Sequence, residues 1–201
     1  MFFEALKRVT SIGIRHAGKV YTPEGFVHLL RMQFRDPYLK FYTGYNKQIK
    51  RGHWTIKAEY RPDDDENGNP SIHVLFEFPP NERRCYINKH RWGLIGFQVA
   101  DILTHEYLHQ YYCRGRNYRY GRGYRQAGLG NYRESWQDYL GCEDEILAHG
   151  FNVASEMIVF ERKMEQTKVY RLYAKHFKHD PYVLLKLKKQ VVKYIKRLER
   201  S

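Results

Sequence analysis

The sequence predicts an α+β fold, because segments with the two-residue period of strands precede segments with the helical period. Residues 53–60 and 71–78 alternate apolar and polar side chains, as half-buried strands do. Three later segments carry apolar residues at intervals of three and four. These segments are 94–112, 143–163 and 182–200.

The first predicted helix begins at Thr22, which can cap it, with Pro23 in the first turn, and it stops before Asp36 and Pro37. The strands 53–60 and 71–78 follow, joined by a polar, turn-rich loop, so we expect a hairpin. A third, short strand is predicted at Cys85–Asn88. The expected sheet is therefore small and antiparallel or mixed.

Helices dominate the second half of the chain. The helix 94–112 can turn Ile95, Val99, Ile102, Leu103 and Leu108 toward a core. A loop rich in Gly, Arg and Tyr spans 114–133, and loops of this length are usually functional or mobile. The length of 201 residues predicts one domain over 1–165 and a basic helical extension over 166–201, packed on the same domain.

The composition restricts the classes of partner. A formal charge of +13 attracts polyanions such as nucleic acid or acidic protein surfaces. We expect neither a signal peptide nor a membrane partner, since no segment approaches the roughly 18 apolar residues of a membrane span. Three scattered cysteines favour free thiols in a reducing, intracellular compartment.

The residues best suited to bind a metal ion and to act as a base form the motif H-E-x-x-H at residues 105–109. Positions four apart lie one turn apart on a helix, so His105 and His109 can direct imidazole nitrogens at one metal ion. Glu106 lies beside them and can hold and deprotonate a metal-bound water. This arrangement of two histidines and a base predicts a zinc site of the metallohydrolase type.

A catalytic zinc site needs a third protein ligand. Cys113 is excluded, because it lies eight residues after His105, about 12 Å along a helix, too far to share one ion. The helix 143–163 offers the acids Glu143, Asp144 and Glu145. If the apolar residues of this helix face the core, Glu145 and His149 share a neighbouring stripe, one turn apart.

Together these motifs resemble gluzincin-type metallopeptidases, in particular the ImmA/IrrE group and small metallopeptidase-like proteins of tailed bacteriophages. The motif H-E-x-x-H is followed by E-x-x-A-x-x-F, formed by Glu145, Ala148 and Phe151. The resemblance covers residues 94–157. It implies a zincin-like fold, Zn²⁺ as the cofactor and Glu145 as the third ligand beside His105 and His109. It also implies the cytoplasm of a bacterial host, or association with a virion, as the location.

One position departs from the family. Many gluzincins carry Asp four residues after the ligand Glu, where it orients a zinc-bound histidine, but this chain has His149 there. Asp101 or a backbone carbonyl can take over that orienting role. His149, Tyr139 and a tyrosine of the loop 114–133 are candidates for stabilising the transition state, and His149 is also an alternative ligand. The expected function is zinc-dependent hydrolysis of a peptide bond, with Glu106 activating the zinc-bound water. In zincin folds an edge strand commonly aligns the substrate, and the strand 71–78 is expected to do so here.

The sequence is also compatible with a different class of function. The zincin scaffold can serve as a virion-structural or nucleic-acid-associated protein with little peptidase activity. The Arg/Tyr-rich loop 114–133 suits stacking on bases or contact with phage structural proteins. The basic last helix can contribute to the same surface, and a protease recruited to DNA would combine both features.

Overall fold

A computed structural model describes residues 1–119, 121 and 132–200 of the chain. The protein has an α+β fold with small sheets, as the sequence predicts. Within these residues it divides into two compact units, 1–110 and 111–201. The elements in chain order are α1 Phe2–Arg15, β1 Val20–Tyr21, α2 Pro23–Arg31, β2 Leu39–Tyr45, β3 Thr55–Tyr60, α3 Pro62–Glu66, β4 Ile72–Phe78, β5 Cys85–Tyr86, α4 Lys89–Gly115, α5 Tyr132–Gly141, α6 Glu143–Phe160, a 3-10 turn Met164–Gln166, α7 Lys168–His176 and α8 Pro181–Leu198.

The main sheet of the first unit has the order β2-β4-β3 and is mixed. Strands β3 and β4 pair antiparallel, which confirms the predicted hairpin, although its connection contains the short helix α3. Strand β2 pairs with β4 in parallel, from Leu39 opposite Ile72 to Tyr45 opposite Phe78. Alternate side chains of β4, from Ile72 to Phe78, are fully buried, so one face of the sheet forms the core of this unit.

Strand β4 is central, which corrects one sequence-based expectation. The segment 71–78 was expected to align an extended substrate as an edge strand, but both of its edges already pair with β2 and β3. The error arose because β2 shows no regular alternation of burial and carries Gly44, so its pattern did not predict a strand.

The predicted third strand is shorter than expected and belongs to another sheet. Residues Cys85–Tyr86 pair antiparallel with β1, forming a separate two-stranded sheet. Helix α2 starts as predicted, since the Thr22 hydroxyl accepts a hydrogen bond from the Gly25 amide at 3.1 Å. Helix α1 was not predicted, and its Gly13 lies so close to Trp92 that any added Cβ would overlap the indole.

Helix α4 is longer than the predicted 94–112 and carries the H-E-x-x-H motif. Val99 and Leu103 are buried in the core of the first unit. Immediately after the motif, the Gln110 side-chain amide donates to Asp65 at 2.9 Å and to Ser71 at 3.0 Å. The Asp65 carboxylate also accepts from the hydroxyls of Ser71 and Tyr60, both at 3.0 Å. This buried network fixes the rotation of α4 relative to the sheet.

The second unit is built around α6 packed on α8. Helix α6 ends at Phe160, three residues before the predicted end, because Glu161 adopts a left-handed conformation with φ of 52°. Gly150 of α6 allows α8 to approach closely, since a Cβ at that position would lie 2.6 Å from the Cβ of Gln190. The predicted boundary at 165/166 lies inside this unit, and the extension packs on α6.

The predicted loop 114–133 lies largely outside the described residues. Helix α4 includes its first two residues, and α5 begins at Tyr132. Among the helices in the described part of the chain, none has the length and apolar character that crossing a bilayer requires.

The network at Gln110 predicts a measurable loss of stability. Replacing Gln110 with Ala removes two donors from the buried oxygens of Asp65 and Ser71, which costs about 1–3 kcal/mol. We expect urea denaturation to show this decrease in the free energy of unfolding. The control is Gln98→Ala, at an exposed position of the same helix, which should change that free energy by less than about 0.5 kcal/mol. Equal effects would contradict the anchoring role.

The cysteines are free and buried, in agreement with the expected free thiols. Burial raises the pKa of Cys85 to about 12 and the pKa of Cys142 to about 11. Because the thiolate is the reactive form, we expect iodoacetamide at about pH 8 to alkylate both at least about a hundredfold more slowly than glutathione. Mass spectrometry measures the rates. Rapid alkylation of either thiol in the folded protein would contradict this, whereas both should react in urea.

Candidate metal centre

The two motif histidines converge on α4. The Nε2 atoms of His105 and His109 lie 2.9 Å apart, and the rings meet edge to face with centroids 4.6 Å apart. His105 is 9% exposed and Glu106 only 7% exposed, so the base and the first histidine are largely withdrawn from water. The helical spacing thus places two nitrogen donors on one point, as the sequence predicted.

This geometry is compatible with a zinc ion. Two nitrogens bound to one tetrahedral zinc at about 2.0–2.1 Å lie roughly 3.3–3.4 Å apart. The observed separation of 2.9 Å requires the two rings to move apart by only a few tenths of an ångström. Rotations about the side-chain bonds of either histidine supply such a shift without moving the helix.

The second unit carries the other predicted donors. On α6, Glu145 and His149 lie one turn apart, with Glu145 Oε2 3.4 Å from His149 Nδ1. Glu145 is 5% exposed, and its neighbours Ile146 and Ala148 are buried, so this acid sits on the inner side of the helix. The shared stripe predicted for Glu145 and His149 is therefore present.

The other two acids of this segment are poor ligand candidates. Glu143 is exposed. Asp144 forms an ion pair with Arg116, whose guanidinium nitrogen lies 2.7 Å from its carboxylate. Of the three acids that the spacing left open, Glu145 alone is both buried and on the same helix face as a histidine.

Tyr173 of α7 is a residue of this cluster that sequence reasoning missed. Its hydroxyl donates to the Leu140 carbonyl at 2.8 Å and lies 3.0 Å from His149 Nδ1. Burial, together with the negative charge of Glu145, raises the pKa of Tyr173 well above its usual value, so the hydroxyl keeps its proton. No local motif marks this tyrosine, which lies 24 residues after His149.

The Tyr173 hydroxyl determines the tautomer of His149. Since its proton is directed at Leu140, its oxygen must accept from the imidazole, and Nδ1 carries the hydrogen. The nearby Glu145 oxygen can only accept as well. In a neutral His149 the lone pair therefore resides on Nε2, the nitrogen that could ligate a metal ion or accept a proton.

The remaining residues considered from the sequence lie on α4 and α5. Asp101 is on α4, one turn before His105, and is half-buried. Tyr139 is on α5, where its ring meets Trp136 edge to face at 5.9 Å. Cys113 is buried on α4 two turns after His105, in agreement with its exclusion as a ligand.

A cavity of about 250 Å³ in the first unit is separate from the motif. Its lining includes Trp54, Phe78 and Ile95 but none of the motif residues. Ile95 precedes His105 by ten residues, about 15 Å along α4.

Comparison with known proteins finds no matching family model, no similar curated protein and no similar solved structure. The resemblance to gluzincins therefore rests on the motif residues alone.

The Tyr173 hydroxyl is expected to stabilise the second unit. Changing Tyr173 to Phe leaves the Leu140 carbonyl and the His149 imidazole without this partner and costs about 1–3 kcal/mol in the free energy of unfolding. Proton–nitrogen spectra of the metal-free protein should show the Nδ1–H tautomer of His149, and this preference should weaken in the variant. Tyr170→Phe, a buried tyrosine on the same helix, is the control. An Nε2–H tautomer in the wild type would contradict the assignment.

Proposed function

We propose that the protein is a zinc-dependent metallopeptidase in which Glu106 is the general base. The supporting observation is the convergence of His105 and His109 at 2.9 Å, with the largely buried Glu106 next to them in the helix. Two neutral imidazoles and an adjacent buried carboxylate are the donors and the base that zinc hydrolases use.

The proposed ligands are His105, His109 and Glu145. The buried position of Glu145 and its match to the gluzincin pattern E-x-x-A-x-x-F support its choice as the carboxylate ligand. His105, Glu145 and His149 are also a donor set that could hold a metal ion, which makes His149 the alternative ligand to His109. Both sets contain the nitrogen and oxygen donors that zinc prefers.

A bound zinc ion would supply Lewis acidity, which acidifies water and polarises a substrate carbonyl. In the proposed reaction, Glu106 accepts a proton from the attacking water. The peptide carbon–nitrogen bond breaks, and Glu106 returns that proton to the departing amine. The low exposure of Glu106 favours both proton transfers, because little bulk water competes for the carboxylate.

His149 and Tyr139 are the proposed donors to the oxygen that becomes negative in the transition state. If His149 is not a ligand, its Nε2 can take up a proton while the Tyr173 hydroxyl holds Nδ1 and the Glu145 carboxylate lies 3.4 Å from that nitrogen. The proton then lies on the nitrogen that faces away from these two partners, where it can be donated to substrate.

An extended peptide can be aligned by an open strand edge. In the main sheet, as far as the structure describes it, β4 is enclosed, and β2 and β3 are the outer strands. These outer strands, rather than the expected segment 71–78, are the proposed substrate edges.

Metal content and cleavage test the function. Protein purified without chelator should contain about one zinc per chain by mass spectrometry of the metal. Glu106→Gln should keep the zinc but lose at least about 10²-fold in the rate of casein cleavage, because only the base is removed. His105→Ala and Glu145→Gln should lose zinc and activity together.

Two controls make the result specific. Glu66→Gln, at an exposed position of the first unit, should keep both zinc and activity. Comparing His109→Ala with His149→Ala identifies the histidine that completes the ligand set, because only the ligand variant loses zinc. Equal cleavage by the wild type and Glu106→Gln would contradict the general base, and absence of stoichiometric zinc would contradict the metal centre.

A further inference from the structure

Helix α8 presents two different faces. Val183, Leu187, Val191 and Tyr194 are buried in the second unit. The Tyr194 ring meets Phe151 edge to face at 5.6 Å. This apolar face of α8 is therefore used in packing, although Leu185 and Val192 of the same helix are about half exposed.

The opposite face carries a continuous row of cations, here called the basic stripe. Its members recur at intervals of three and four, which places the four within α8 on one side of the helix, and Arg200 lies in the turn that follows. They are all exposed, and they are Lys186, Lys189, Lys193, Lys196 and Arg200. From Lys186 to Arg200 the stripe extends about 21 Å.

Acidic side chains do not neutralise the stripe. Residues 181–198 contain no Asp or Glu, and Glu199 is the only acid among the last 20 described residues. In the described part of the chain, no ion pair involves a member of the stripe, although Lys186 lies over the Tyr182 ring at 4.4 Å. Like charges at this spacing repel one another, and in the unbound protein only solvent and salt screen this repulsion. A bound polyanion would reduce the repulsion further.

We propose that the basic stripe binds the phosphate backbone of duplex DNA. Each strand of the duplex carries one negative charge per about 3.4 Å of axis, so a stripe of about 21 Å can face several phosphates at once. Long, flexible lysines suit phosphate contact without base recognition, so the binding is independent of sequence.

Two other polyanions fit the stripe less well. Single-stranded nucleic acid is usually held by exposed aromatic platforms, but Tyr182 is the only exposed aromatic residue of α8 and Lys186 covers its ring. Membrane binding by an amphipathic helix requires a continuous free apolar face. The main apolar face of α8 is buried, and the exposed Leu185 and Val192 lie seven residues apart among lysines.

Fluorescence anisotropy with a labelled 24-base-pair duplex between about 50 and 200 mM KCl tests the proposal. Five phosphate contacts predict a slope of log K against log salt near about −4.5. Replacing Lys186, Lys189 and Lys193 together with Gln should reduce the steepness by about 2.7 and weaken binding about 10²-fold at 100 mM salt. Arginine at the same three positions should keep the affinity.

The matched control changes Lys7, Lys19 and Lys47 to Gln, three exposed lysines of the first unit, so both variants have the same net charge. This control should stay within about twofold of the wild type. Equal losses in both variants would overturn the proposal in favour of general charge attraction. It is also overturned if the stripe variant binds the duplex normally, or loses binding to phosphatidylserine vesicles and not to DNA. Circular dichroism confirms that each variant is folded.

Discussion

The rotation of α4 about its own axis is the constraint on which the proposed metal centre depends. Gln110 donates two hydrogen bonds into the buried pair of Asp65 and Ser71, directly after the motif. A helix rotated by even one residue would turn His105 and His109 by about 100°. Because hydrogen bonds are directional, this network fixes the orientation of the motif histidines more specifically than the packing of apolar side chains alone would.

A comparable hydrogen-bonded arrangement orients His149 in the second unit. Tyr173 holds His149 through a hydroxyl whose own proton is committed to the Leu140 carbonyl. Glu145 lies one turn before His149 and near the same ring nitrogen. A buried histidine is costly unless it is hydrogen-bonded, so the contact with Tyr173 gives the His149 ring a physical reason to stay ordered. Outer partners of this kind typically change the metal affinity of a site by about 10–100-fold.

Sequence reasoning recovered the elements whose pattern is local. Thr22 and Pro23 mark the start of α2, and the alternation of 71–78 marks β4. The four-residue spacing of His105 and His109 predicts their convergence, because that spacing is the helical repeat. These features depend on backbone geometry within a few residues, which is what a single sequence encodes most directly.

The features that sequence reasoning missed depend on distant parts of the chain. The central position of β4 is set by pairing with β2, which precedes it by about 30 residues and has no clear alternation. The contact of Tyr173 with His149 likewise joins two separate helices. Periodicity reports which face of an element is buried, but it does not report what that face packs against.

X-ray absorption at the zinc edge, measured on the zinc-loaded protein, tests the central claim most directly. We predict four or five nitrogen and oxygen neighbours at about 2.0–2.2 Å, with the imidazole scattering of at least two histidines. Changing Glu145 to Gln should alter this shell, whereas changing Cys113 to Ser should leave it unchanged. A sulfur neighbour at about 2.3 Å, or a shell without imidazole, would contradict the proposed metal centre.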